Sequence, residues 1–140
     1  MSQPSRTAAL LRPASDAIAP LPPCLPPMAT LAEALAAMAA ARASAVLAVD
    51  AAGRPVGILT EQDIARRVAF RLPPEAPLAA AMTAPVIGCP AGQGLWQAVA
   101  LLRAHRLRHL PLLDTEGRCI GLLHRPEALE AASGAMLAHL

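Results

Sequence analysis

From Thr30 onward, the spacing of apolar residues alternates between helical and strand-like periods. Leu31, Leu35 and Met38 recur on one helical face, behind Thr30 as N-cap and Glu33 three residues later, which predicts a helix with a capping box. Ala45–Val49 is an unbroken apolar run and reads as a strand. Asp50-Ala51-Ala52-Gly53 follows as a turn, and Pro55–Leu59 as a second strand. Thr60 opens another helix to about Phe70, and Leu72-Pro73-Pro74-Glu75-Ala76-Pro77 interrupts the pattern. The order then recurs. A short strand near Val86-Ile87 precedes a helix from about Leu95 to His105, with Leu95, Val99 and Leu102 on one face. The strand His109–Leu113, the turn Asp114-Thr115-Glu116-Gly117, the strand Cys119–Leu123 and a last helix from about Arg125 complete it.

The two runs are copies. Cys24–Ala65 superposes on Gly88–Leu129 without a gap, 64 residues apart: Pro26 meets Pro90, Leu31 meets Leu95, Arg42 meets Arg106, and Gly53-Arg54 meets Gly117-Arg118. With a short strand near Cys24-Leu25, each half reads β-α-β-β-α. Such a unit leaves one sheet face uncovered, so the expected fold is α/β (α+β), two repeats packed sheet to sheet with pseudo-two-fold symmetry. The expected boundaries are a flexible, Pro- and Ala-rich tail over 1–20, a first repeat over 21–71, a linker over 72–80 and a second repeat over 81–140.

Composition narrows the partners. The 140 residues suffice for one ordinary domain, or two half-domains. With one Phe, one Trp and no Tyr, the core must come from Leu, Val, Ile, Ala and Met, and single-strand nucleic acid has no stacking platform. A net charge of +2 with interspersed signs gives no basic footprint for nucleic acid. No apolar run reaches membrane-spanning length, and no secretory layout opens the chain. Cys24, Cys89 and Cys119 are odd in number and lack CxxC spacing, which suits thiols in a reducing compartment. The expectation is a cytoplasmic protein with no membrane and no nucleic-acid partner. His105, His109, His124 and Cys119 lack tight zinc spacing, so no metal site is expected. No nucleophile, paired catalytic carboxylates or phosphate-loop motif is visible, so neither is an enzyme.

The sharpest local pattern is Gly57-Ile58-Leu59-Thr60-Glu61-Gln62-Asp63, where a strand turns into a helix. Two readings fit. Thr60 at N-cap with Asp63 at N3 is close to a capping box. Alternatively, a helix start favours a phosphate, an acid one turn in accepts a ribose diol, and Gly57 lets a ligand or strand approach the backbone.

The repeated β-α-β-β-α order, this Gly-Ile-Leu-Thr-x-x-Asp junction and Arg108-His109-Leu110-Pro111-Leu112-Leu113-Asp114 together resemble a tandem pair of CBS domains, a Bateman module, over about residues 22–132. The stretches 69–84 and 131–134 are similar to the CBS region of bacterial proteins that carry a nucleotidyltransferase-type domain further on. The resemblance implies an adenosyl ligand (AMP, ADP, ATP or S-adenosylmethionine) in the cleft between repeats. The nucleotide is then a regulatory ligand, with or without Mg2+, and no resident cofactor is implied. Carried over, Thr60 and Asp63 take phosphate and ribose, with Gly57 beside them. Ala45 and Pro111 belong to the strands that hold the adenine, and Arg108 and His109 reach phosphate. The second junction departs from the pattern, with His124 in place of the hydroxyl and Glu127 in place of Asp, so one nucleotide per chain is expected. A homodimer that passes occupancy to an effector enzyme or attached domain follows. The alternative is a structural dimerisation module whose nucleotide site has decayed.

Overall fold

The computed structural model describes residues 13–68 and 71–125. The chain forms two compact units, one of residues 22–86 and one joining the residues up to Leu21 with those from Ile87 on. In the first unit, β1 (Cys24–Leu25), α1 (Leu31–Ala41), β2 (Ala45–Val49) and β3 (Pro55–Thr60) precede a short α2 (Glu61–Asp63), which continues as π-helix over Ile64–Val68. Its sheet runs β1-β2-β3, the first pair parallel and the second antiparallel. The second unit repeats this with β4 (Cys89–Pro90), α3 (Leu95–Ala104), β5 (His109–Leu113) and β6 (Cys119–His124), ordered β4-β5-β6.

The repetition holds rung by rung. The β2–β3 ladder from Ala45↔Thr60 to Val49↔Pro55 returns as His109↔His124 to Leu113↔Cys119, with the bulge at the same rung. The hairpin turns also match. Asp50 Oδ1 accepts the N–H groups of Ala52 and Arg54, both at 2.9 Å, and Asp114 Oδ1 those of Glu116 and Arg118, at 2.8 and 2.9 Å. An aspartate that satisfies two turn amides fixes the loop from within. Gly53 and Gly117 supply its left-handed corner, each at φ 82°.

Each helix packs on one face of its sheet. Leu31, Ala34 and Met38 of α1 meet Val46, Ala48 and Leu59, while Ala98 and Leu102 of α3 meet Leu110, Leu112 and Leu123. The expected core faces are corrected here. Ala34 and Ala98 are buried where Leu35 and Val99 were expected; Leu35 is exposed and Val99 half-buried. A small residue at i+3 lets the helix lie close on the sheet, and leucines above and below it fill the sides.

One boundary differs from expectation. The strand expected near Val86-Ile87 is β4, at Cys89–Pro90. In the first unit the Leu47 N–H donates to the Pro23 carbonyl at 3.0 Å, just ahead of β1. The equivalent residue in β5, Pro111, has no N–H to give, and pairing starts one residue later. The helix expected to reach Phe70 is described only to Val68, and the last helix falls beyond Arg125, outside the described residues.

Residues 13–20, expected in a tail, and 72–80, expected as a linker, are packed. Ala14 is buried in the second core, and Ala19 N–H donates to the Leu122 carbonyl at 2.7 Å. Leu78 is buried in the first core, and Leu31 N–H donates to the Ala76 carbonyl at 2.9 Å. Residues 13–20 and 77–84 are themselves copies. The bridges Thr30↔Pro77 and Ile58↔Thr83 in one unit return as Gly94↔Pro13 and Leu122↔Ala19 in the other. Each covers the open edge of its hairpin, which would otherwise expose unpaired backbone groups.

Candidate functional site

Side chains alternate across a strand. Val46, Ala48 and Leu59 pack under α1, so Ala45, Leu47, Ile58 and Thr60 share the opposite sheet face. The junction sits at the end of that face. Thr60 and Asp63 form the capping box that their spacing predicts. Asp63 N–H donates to Thr60 Oγ1 at 3.2 Å, and Thr60 N–H donates to Asp63 Oδ2 at 3.0 Å. Thr60 Oγ1 also donates to Asp63 Oδ2, at 3.1 Å.

A further partner did not emerge from the motif. The Thr83 hydroxyl donates to Asp63 Oδ1 at 3.0 Å. Thr83 is itself pinned to β3, donating its N–H to the Ile58 carbonyl at 2.8 Å and accepting the Ile58 N–H at 3.0 Å. Arg67, one helical turn beyond Asp63, donates from a guanidinium nitrogen to the Met82 carbonyl at 3.2 Å. The carboxylate is thus held by neutral donors, and among the described residues no arginine forms an ion pair with it.

Two details of the expected site change. Two of the helix-start amides are already engaged, since Glu61 N–H donates to the Ser44 carbonyl at 3.1 Å and Asp63 N–H to Thr60. A phosphate there must therefore rely on the Thr60 hydroxyl more than on backbone donors. The bare face of Gly57 is filled from within the chain: a Cβ there would stand 2.8 Å from both Cγ and Cε of Met82. Ala45 is buried directly across the ladder from Thr60. A cavity of about 400 Å3 opens beside the junction, between the end of α1 and the start of α2, lined in part by Leu35, Arg42, Ser44 and Glu61.

The same rungs of the second unit carry different chemistry. His109 and His124 face each other where Ala45 and Thr60 do in the first, their rings 4.9 Å apart and tilted by 37°. Arg108 is exposed, its carbonyl accepting the Arg125 N–H at 2.7 Å, and Pro111 is buried. Glu127 lies outside the described residues. Ala19 stands where Thr83 does and brings no hydroxyl. The signal for Met82 and Thr83 was the repeat itself: run back from Cys24, its spacing aligns Pro13 with Pro77 and Ala19 with Thr83.

Among the described residues, no group of three His, Cys, Asp or Glu is placed to hold a metal ion, and no helix is long and apolar enough to cross a membrane.

The family model of the CBS domain matches residues 14–70 and again 73–134. Among curated proteins, an uncharacterized 17.7 kDa protein of Acidianus ambivalens is 29% identical over 97 residues, 69% of this chain and 58% of that protein, so the match spans less than two thirds of the relative. Among solved structures, a CBS domain protein from Pyrobaculum aerophilum complexed with AMP is 27% identical, with a TM-score of 0.73 over 86% of this chain and 98% of that one. An uncharacterized conserved protein from Pyrococcus horikoshii is 24% identical, with a TM-score of 0.76 over 88% and 93% of the two chains, and shares the fold.

Proposed function

Because the chain belongs to the CBS domain family, we propose that it is a regulatory module whose first repeat takes an adenosyl nucleotide at the junction of β3 and α2. The observation that carries this reading is the state of Asp63. Its carboxylate is fixed by Thr60 and Thr83, both neutral, and accepts from a ribose diol once the Thr60 hydroxyl turns away. The Thr60 hydroxyl beside it is the natural donor to a phosphate, and Ala45 shares the rung of Thr60, with Gly57 three rungs further along the ladder. In the second repeat, Arg108 is an exposed cation for phosphate, with or without Mg2+ on the nucleotide. The AMP held by the Pyrobaculum protein supports this ligand class.

The second repeat supports the rival reading for its own half. With Thr60, Asp63 and Thr83 replaced by His124, Glu127 and Ala19, its junction has lost both hydroxyls and carries a longer acid, so that junction holds no nucleotide of its own. One nucleotide per chain follows. Occupancy acts on a homodimer, and through it on an effector enzyme or attached domain, by population shift: the ligand moves the equilibrium only by its difference in affinity for the two states.

Isothermal titration with AMP, ATP and S-adenosylmethionine tests the proposal. Saturable heat near one equivalent per chain is expected from at least one. Silence from all three overturns it and leaves the structural module.

A further inference from the structure

We infer that Thr83 is a positioning residue of the nucleotide site, holding the Asp63 carboxylate in the attitude in which it meets a ribose diol. The inference rests on the nucleotide reading and adds a residue outside the junction motif. A carboxylate offers about four lone-pair sites. On Asp63 the Thr60 N–H, the Thr60 hydroxyl and the Thr83 hydroxyl take one each. A diol brings two hydroxyls, so one present donor must leave. The Thr60 amide is fixed in the backbone at the end of β3. The Thr60 hydroxyl is a rotor that turns readily to a phosphate, a charged acceptor. Thr83 remains, because two backbone hydrogen bonds to Ile58 fix its Cα. Its hydroxyl then keeps Oδ1 in place while one site on each oxygen serves the ligand.

The chain holds its own control. In the second unit the residue bridged to Leu122 at the equivalent rung is Ala19, and the junction has changed along with the hydroxyl: His124 stands for Thr60 and the longer Glu127 for Asp63. A threonine needed only to cover a sheet edge has no reason to change together with the junction. Edge cover is a backbone function, which Ala19 performs equally well. Arg67 strengthens the tie by holding the Met82 carbonyl from the helix that carries Asp63. Ligand occupancy is thereby coupled to segment 81–83.

The test is calorimetric titration of the full chain with AMP and 2′-deoxy-AMP, for wild type, T83V, T83A and T83S, with melting temperatures alongside. T83V is expected to weaken AMP about tenfold, the scale of one hydrogen bond to a charged group, and to change 2′-deoxy-AMP far less. The ratio of the two affinities then collapses. T83A checks the bulk of valine, and T83S restores both the hydroxyl and the ratio. Equal weakening of the two ligands means a merely structural residue and overturns the inference, as does unchanged AMP affinity in T83V and T83A. Either leaves the nucleotide reading standing. Wild type silent toward both ligands overturns both.

Discussion

Gly57 and Gly121 occupy the same rung of their hairpins but press against different neighbours. A Cβ on Gly57 would meet the thioether chain of Met82; one on Gly121 would meet the Ala19 carbonyl oxygen at 2.7 Å and Ile18 Cγ1 at 2.6 Å. A methionine side chain swings aside, whereas a backbone oxygen held in a bridge does not. Gly121→Ala is therefore expected to destabilise by about 1–3 kcal/mol, and Gly57→Ala by less. Urea denaturation midpoints of the two variants check the order.

Asp63 is both cap and proposed ligand group, and the two roles separate experimentally. Asp63→Ala is expected to lose about 1 kcal/mol of stability through the cap. It should also lose at least about tenfold in AMP affinity, ~1.4 kcal/mol. A lower melting temperature with unchanged affinity would reduce Asp63 to a cap.

Arg42 and Arg106 end their helices in left-handed backbone, at φ 50° and 53°. That geometry lets the next N–H return to the helix: Ala43 donates to the Met38 carbonyl at 2.9 Å and Leu107 to that of Leu102 at 2.8 Å. Glycine adopts it without strain against Cβ. Arg42→Gly and Arg106→Gly are each expected to stabilise by up to about 1 kcal/mol, read from guanidinium unfolding curves.

Acid should loosen the turn between β5 and β6. The backbone N–H of Arg118 holds the Asp114 carboxyl below the ordinary carboxylate range, against the opposing effect of desolvation and helped by the Glu116 N–H and the Arg118 guanidinium. A depressed folded value means stability that is present above the unfolded pKa, near 4, and is lost as pH falls through the folded one. Melting temperature should fall below about pH 4, with a smaller fall in Asp114→Asn and at high salt, since the group is exposed.

The thiols should separate by kinetics. Burial raises the pKa of both Cys24 and Cys89, so access separates them: Cys89 is fully buried and donates to Gln93 Oε1 at 3.4 Å. Cys24 is exposed. An aromatic disulfide reagent at mildly alkaline pH is expected to label Cys24 on mixing and Cys89 only as the chain unfolds. Equal rates would contradict the packing around β4.

Both hairpins, both long helices and the Thr60–Asp63 box were legible in the sequence because each is a local pattern with its own punctuation: an aspartate turn ending in glycine, or a threonine three residues ahead of an acid. Legibility failed where long-range pairing decides. Nothing local marks Thr83 as a partner of Asp63, 20 residues away. The proline-rich stretches read as tail and linker because proline forbids helix there, yet it does not forbid an edge bridge such as those of Pro13 and Pro77. The shift of β4 to Cys89–Pro90 likewise depended on a missing N–H across the ladder at Pro111.

The edge segments also set an order of events during synthesis. The first hairpin is closed by Thr83, which emerges from the ribosome soon after β3, so that unit can complete itself while the rest is still being made. The second hairpin is closed by Ala19, made long before β6 exists to receive it. Segment 13–20 must therefore wait unpartnered until the last strand appears. Its prolines, which supply few backbone donors, keep it from pairing elsewhere in the meantime.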